Sequence, residues 1–120
     1  MSVAPLLIAG VSIILIFVSG FWVSRTGKPY STGILTIHKL ISLAVLIYLG
    51  MQVQRFRQTA IMSPLQWLSI ALAGILFLVT ILTGGFLSME KDMPAVLKTV
   101  HHILPYATAA TALVALFLLA

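Results

Sequence analysis

Four apolar runs, each near or above the length needed to cross a bilayer, constrain this chain more than any other feature. They cover residues 5–22, 33–55, 64–86 and 94–119. A hydrocarbon core of roughly 30 Å takes about 20 helical residues at about 1.5 Å each. The connectors between the runs, SRTGKPYST, QRFRQTAIMS and LSMEKDM, carry almost every charge. With 61% hydrophobic and only 8% charged residues among 120, and a mean hydropathy of +1.17, the chain has more apolar surface than a soluble domain of this size can hide. The expected fold is therefore all-α: an integral membrane four-helix up-down bundle forming one domain over residues 1–120, in which short connectors make sequential helices antiparallel neighbours. Pro5, Pro64 and Pro94 open or adjoin three of the runs, where first-turn N–H groups have no helical partner to lose.

The charge balance bears on topology. Seven Lys and Arg against two acids give a net charge of +5, but the cations sit between apolar runs and form no continuous face, which argues against a nucleic-acid partner. Arg25, Lys28, Lys39, Lys91 and Lys98 gather on the side reached after the first and third runs, and Arg55 and Arg57 on the other. The positive-inside rule then puts both termini outside, with the lipid bilayer as the surrounding medium and a bacterial or archaeal plasma membrane as the expected location. Trp22, Tyr30 and Trp67 fall near run ends, where an interfacial aromatic belt places them. The first run lacks a positively charged n-region and is long for the core of a cleaved signal peptide, so it counts as a span. Cysteine is absent, which removes disulfides and thiolate chemistry.

All three histidines lie in one repeated element. TIHKLI (36–41) and TVHHIL (99–104) share a threonine, a β-branched residue, a histidine and then a basic residue before two aliphatics. SGFWVS closes the first run and GGFLS the third, each followed by a charged connector and a new helix. The chain reads as one helical hairpin duplicated, and because a hairpin crosses twice, both copies share one orientation. Under this repeat His38 matches His101, and Lys39 matches His102.

In an up-down bundle the second and fourth helices are parallel and lie on a diagonal, so His38 and His101 sit at similar depth across the core. A diagonal is too wide for two imidazoles to touch, but it suits a flat macrocycle whose iron takes one from each side. The expected cofactor is one haem b with bis-histidine ligation, His38 and His101 being the metal ligands. Gly20, Gly84 and Gly85 are at the same level, where a missing Cβ lets a porphyrin edge approach the backbone. Lys39, Lys98, Arg25 and Lys28 lie just outside it, placed for propionates. Taken singly, a histidine near a helix end can serve the interface and a glycine can serve packing; it is the pairing that favours a cofactor, since ionisable groups are costly inside a membrane. His102 points about 100° away from His101 around its helix. It stands as an alternative ligand, a propionate partner or a proton acceptor near a quinone. Pro105 cannot donate to the carbonyl of His101, and a kink is expected there.

Histidines on the second and fourth helices, within TGILTIHKLISLAVLIYL and VLKTVHHILPYATAATAL, resemble the membrane b-type cytochromes of the cytochrome b561-like group. The resemblance implies non-covalent haem b and one-electron transfer with a quinol, ascorbate or another redox partner. Members that carry electrons across the bilayer use two haems, one near each face, whereas every histidine here is on one side, which leaves a single haem.

Other classes fit less well. A small multidrug transporter has four helices in this length but needs a carboxylate within the membrane, and Glu90 and Asp92 lie in a connector. Hydrolytic or metal-dependent chemistry wants clustered histidine and carboxylate ligands. The competing reading is a cofactor-free accessory or assembly subunit, packed as a homo-oligomer or against a larger membrane complex. The topology has its own test. In this cysteine-free chain, Lys28→Cys and Lys91→Cys are expected to label from the cytoplasm and Arg57→Cys from outside; the reverse pattern inverts the assignment.

Overall fold

The computed structural model describes residues 3–27, 30, 32–89 and 93–119. Lys28 and Lys91 of the charge argument, and Glu90 and Asp92, lie outside them. Four helices are present, α1 (Ala4–Thr26), α2 (Thr32–Thr59), α3 (Pro64–Leu87) and α4 (Ala95–Leu119), and all four are long and apolar enough to cross a membrane. Among the described residues the fold is an all-α four-helix bundle, compatible in helix length and composition with an integral membrane protein. α1 and α2 each run about a turn beyond the end of their apolar runs. Ser24, Arg25, Gln58 and Thr59 continue them, because polar residues keep a helix going once it reaches the interface.

Large apolar residues such as Leu7, Leu40, Leu68 and Phe117 face outward. Half of the buried positions are small: Ala9, Ser19, Ala73, Thr83, Thr108, Ala112 and Ala115. Lipid tails are as apolar as leucine, so close approach of backbones at small residues, rather than sequestering of leucine, holds such helices together. Hydroxyls inside the spans are satisfied by carbonyls on their own helices, as with Thr80 Oγ1 to the Leu76 carbonyl at 2.7 Å and Thr108 Oγ1 to the Leu104 carbonyl at 2.9 Å. Thr80 and Thr108 also meet each other at 3.0 Å and tie α3 to α4.

The duplication is visible in what each copy buries. A shift of 64 residues carries buried Ala9, Ile13 and Ser19 of α1 onto buried Ala73, Phe77 and Thr83 of α3, and a shift of 63 carries buried Val45 of α2 onto buried Thr108 of α4. The two antiparallel hairpins, α1–α2 and α3–α4, are the closely packed pairs.

Between the hairpins the arrangement departs from a square bundle. α4 packs on both α1 and α2, whereas α2 and α3, neighbours in sequence, barely touch. The expectations of sequential neighbours throughout, and of α2 and α4 as a wide diagonal, are corrected here. Small residues on α4, among them Thr108, Ala112 and Ala115, let α2 come in across its face. Phe17 and Tyr106 stack at 5.1 Å across the α1–α4 seam.

α3 starts with a capping box: Ser63 Oγ accepts from the Gln66 backbone N–H at 3.2 Å, and Gln66 Oε1 accepts from the Ser63 N–H at 2.8 Å. The Gln66 amide also donates to the Leu118 carbonyl at 2.8 Å, joining the start of α3 to the end of α4. Ser63→Ala is expected to lower stability by about 1 kcal/mol. Gln66→Ala should cost more, since it also frees the Leu118 carbonyl. Denaturant unfolding in mixed micelles measures both.

Candidate functional site

The site forms where the ends of α1 and α3 meet the starts of α2 and α4. His38 follows Thr32, the first residue of α2, by six positions, and His101 follows Ala95, the first of α4, by six. Both rings therefore lie roughly 9 Å into their helices. Both are half-buried. α2 and α4 are in contact.

Each ring is gripped the same way by its own hairpin. Ser19 Oγ lies 2.9 Å from His38 Nδ1, and Thr83 Oγ1 lies 2.9 Å from His101 Nδ1. Each hydroxyl has one proton, which Ser19 donates to the Ile16 carbonyl at 3.0 Å and Thr83 to the Thr80 carbonyl at 2.9 Å. The hydroxyl oxygens are thus left as acceptors, and the Nδ1 nitrogens must donate. With the hydroxyl protons on those carbonyls, both histidines take the Nδ1–H tautomer, with the lone pair on Nε2. No bond from a described residue reaches either Nε2. This is how metal-binding imidazoles are prepared, one nitrogen fixed by a neighbour and the other presented.

Two of the three glycines lie against the imidazoles. A Cβ on Gly20 would stand 2.9 Å from His38 Cε1, and one on Gly84 would stand 2.7 Å from His101 Cε1 and 3.2 Å from its Nε2. The space of the missing side chains is taken by the imidazoles themselves, each with its Cε1 nearest the opposing glycine. Gly85 faces open space and takes no part in this contact.

The other expected residues are more loosely placed. Lys39 is exposed and its Nζ donates to Ser88 Oγ at 2.9 Å, linking α2 to the cap of α3. Arg25 lies over the Phe21 ring at 5.7 Å. Lys98 lines a crevice of about 360 Å³ with Ser24, Tyr30 and Leu87, just outside the level of the rings. His102 is exposed, its ring edge-on to that of His101 at 6.4 Å, and no hydrogen bond to it is found among the described residues. α4 continues as one helix through Pro105. At the matching place in α2, Ser42 Oγ donates to the His38 carbonyl at 2.8 Å. The threonines of the shared motif stay outside the site: Thr36 is exposed, and Thr99 bonds the Ala95 carbonyl.

Ser19 and Thr83 are the residues that sequence reasoning missed. Their signal was present as Ser-Gly and Thr-Gly at the ends of matched helices, one position off the register in which SGFWVS and GGFLS align by eye. Among the described residues no group of three or more His, Cys, Asp or Glu side chains converges, so the two imidazoles are the only paired donors there. Gly84→Ala is expected to destabilise by roughly 1–3 kcal/mol through overpacking. Gly20→Ala should cost less, its contact being longer, and Gly85→Ala should be neutral or mildly stabilising because it replaces a helical glycine in open space; thermal unfolding in detergent ranks the three. No family model, curated protein or solved structure matches the chain.

Proposed function

We propose that the chain is a membrane b-type cytochrome that holds one haem b between His38 and His101 and passes single electrons, in the manner of the b561-like proteins its sequence resembles. The observation that carries this reading is the matched pair of Nδ1–hydroxyl bonds, which leaves one Nε2 lone pair on each of two touching helices at equal depth. Two protein donors are fewer than the three or four that zinc sites draw from protein, but they complete an iron that already has four porphyrin nitrogens. The donor set fits the group. Bound there, haem would supply one-electron exchange between ferric and ferrous iron.

The remaining roles fall to this chain's residues. Ser19 and Thr83 keep the proton on Nδ1 and hold the ring planes. Gly20 and Gly84 let the rings lie close to backbone, and the surrounding spans keep water away. The Lys98 crevice opens at the level where carboxylates of a porphyrin would emerge, with Lys39 beside it as a second cation. The electron partner is a quinol or a redox protein, approaching from the cytoplasmic side, with both termini outside. His102, exposed next to His101, is available to a partner's proton and not to the iron.

One observation favours a second reading as a cofactor-free subunit of a larger membrane complex: α2, 28 residues long, buries only Val45 among its own side chains, so much of its surface is open to another chain. Haem absorbance separates the two. Protein purified with haem supplied is expected to show a low-spin spectrum with sharp reduced bands. His38→Ala and His101→Ala should each abolish it, while His102→Ala should keep it. Ser19→Ala and Thr83→Val should retain the spectrum but weaken haem retention roughly 10–100-fold. Colourless protein, or a low-spin His101→Ala variant beside a high-spin His102→Ala variant, contradicts the assignment.

A further inference from the structure

The duplication sets up a comparison between the two seams that join the hairpins. Exchanging the copies maps the α1–α4 seam onto the α3–α2 seam. The first is closed by the Phe17–Tyr106 stack. At the second, the matching residues are Ile81 and Leu43, which carry no rings, and the helices barely touch. What remains there is a groove of about 140 Å³ in the half of the bundle away from the histidines. Leu46, Gly50 and Val53 of α2 form one wall, Gly74 and Phe77 of α3 the other, and α4 the floor at Ala115.

The groove is lined by apolar residues and glycine, and the same face of α2 continues beyond it to a cation. On α2, Leu46, Gly50, Val53 and Arg57 follow one another at three- and four-residue steps and so share a face. On α3, Trp67, Ile70, Gly74 and Phe77 do likewise. The Arg57 guanidinium lies over the Trp67 ring at 5.6 Å, so a charged, aromatic clamp stands at the interfacial end of a hydrocarbon-lined slot. Its other polar contact is a long bond to Gln54 Oε1, at 3.5 Å on the same helix. Gly50 and Gly74 face open space, which is where the slot is widest.

The geometry points to a binding site for an anionic phospholipid, one acyl chain lying between α2 and α3 and the phosphate paired with Arg57. The chemistry matches at both ends: apolar walls take methylenes, and a guanidinium at the membrane surface takes a phosphodiester in charge-assisted bonds. A quinone would bring a long tail but no charge for Arg57. A parallel second copy of the chain would bring no acidic side chain to Arg57, since neither the end of α2 nor the connector after it holds one. The site is independent of the histidine pair and stands whether or not haem binds.

Native mass spectrometry of the full chain, released from detergent after equilibration with phosphatidylglycerol, phosphatidylcholine of equal chain length, or ubiquinone, tests the proposal. Phosphatidylglycerol is expected to be retained several-fold better than the other two. Arg57→Gln should erase the preference between the two phospholipids while leaving some binding. Gly74→Leu should remove binding of both, because its Cβ has open space to enter and the rest of the side chain fills the slot, and Gly50→Leu should do the same from the opposite wall. Gly10→Leu, the repeat mate of Gly74 that also faces open space, should behave as the parent. Equal retention of the two phospholipids, adducts that survive both groove-filling variants, preferential binding of quinone, or a lipid-free dimer would each overturn the proposal.

Discussion

Each imidazole in this protein is held by a hydroxyl whose only proton is already committed to a backbone carbonyl. The carbonyl acceptors, Ile16 and Thr80, are three residues earlier on the same helices as Ser19 and Thr83. In hydrocarbon no water competes for them, so the hydroxyl orientation is set by the helix and the ring tautomer is set in turn. The direction of the histidines therefore depends on helical geometry two steps away. This arrangement needs α1 against α2 and α3 against α4 in a fixed register, and it needs glycine beside each hydroxyl so that the ring can reach it. Packing, polarity and the reactive nitrogen are consequences of one contact made twice.

Duplication explains why the contact occurs twice, and the differences between the copies show where each hairpin has been used differently. In the second copy, Thr80 and Thr108 add a hydroxyl pair one turn deeper, where the first copy has Ile16 and Val45. Lys39 stands where the second copy has His102, and Ser42 where it has Pro105. The ring contact of one seam is replaced by an open groove at the other. The shared parts are those that hold an imidazole, and the divergent parts lie around them. A cofactor between the hairpins would be gripped symmetrically inside an asymmetric shell.

The four spans were legible because hydropathy reports bilayer thickness directly, and their ends were less so because helices continue through Ser24, Arg25 and Gln58 after hydropathy has fallen. The histidine pair was legible from TIHKLI and TVHHIL, since an ionisable side chain stands out in an apolar run. Ser19 and Thr83 did not stand out: a lone hydroxyl in a membrane helix reads as a packing residue until its partner is seen. Gly20 and Gly84 were singled out at the right level, but their contact was not readable, because a sequence shows the missing Cβ and not what fills its place. The open α2–α3 seam was hidden for a similar reason. Short connectors argue for neighbouring helices, and only the small residues of α4, which draw α2 toward it, reveal the competing contact.

The central claim is that both site histidines carry their proton on Nδ1 and present Nε2. Nitrogen-15 NMR of histidine-labelled protein in lipid bilayers, without added haem, measures this directly, with His102 assigned through its alanine variant. The account predicts that His38 and His101 both show a protonated Nδ1 and a bare Nε2 at neutral pH. Protonation on Nε2 in either ring would contradict it, because that lone pair would then face the serine or threonine hydroxyl and no nitrogen would be left for a metal.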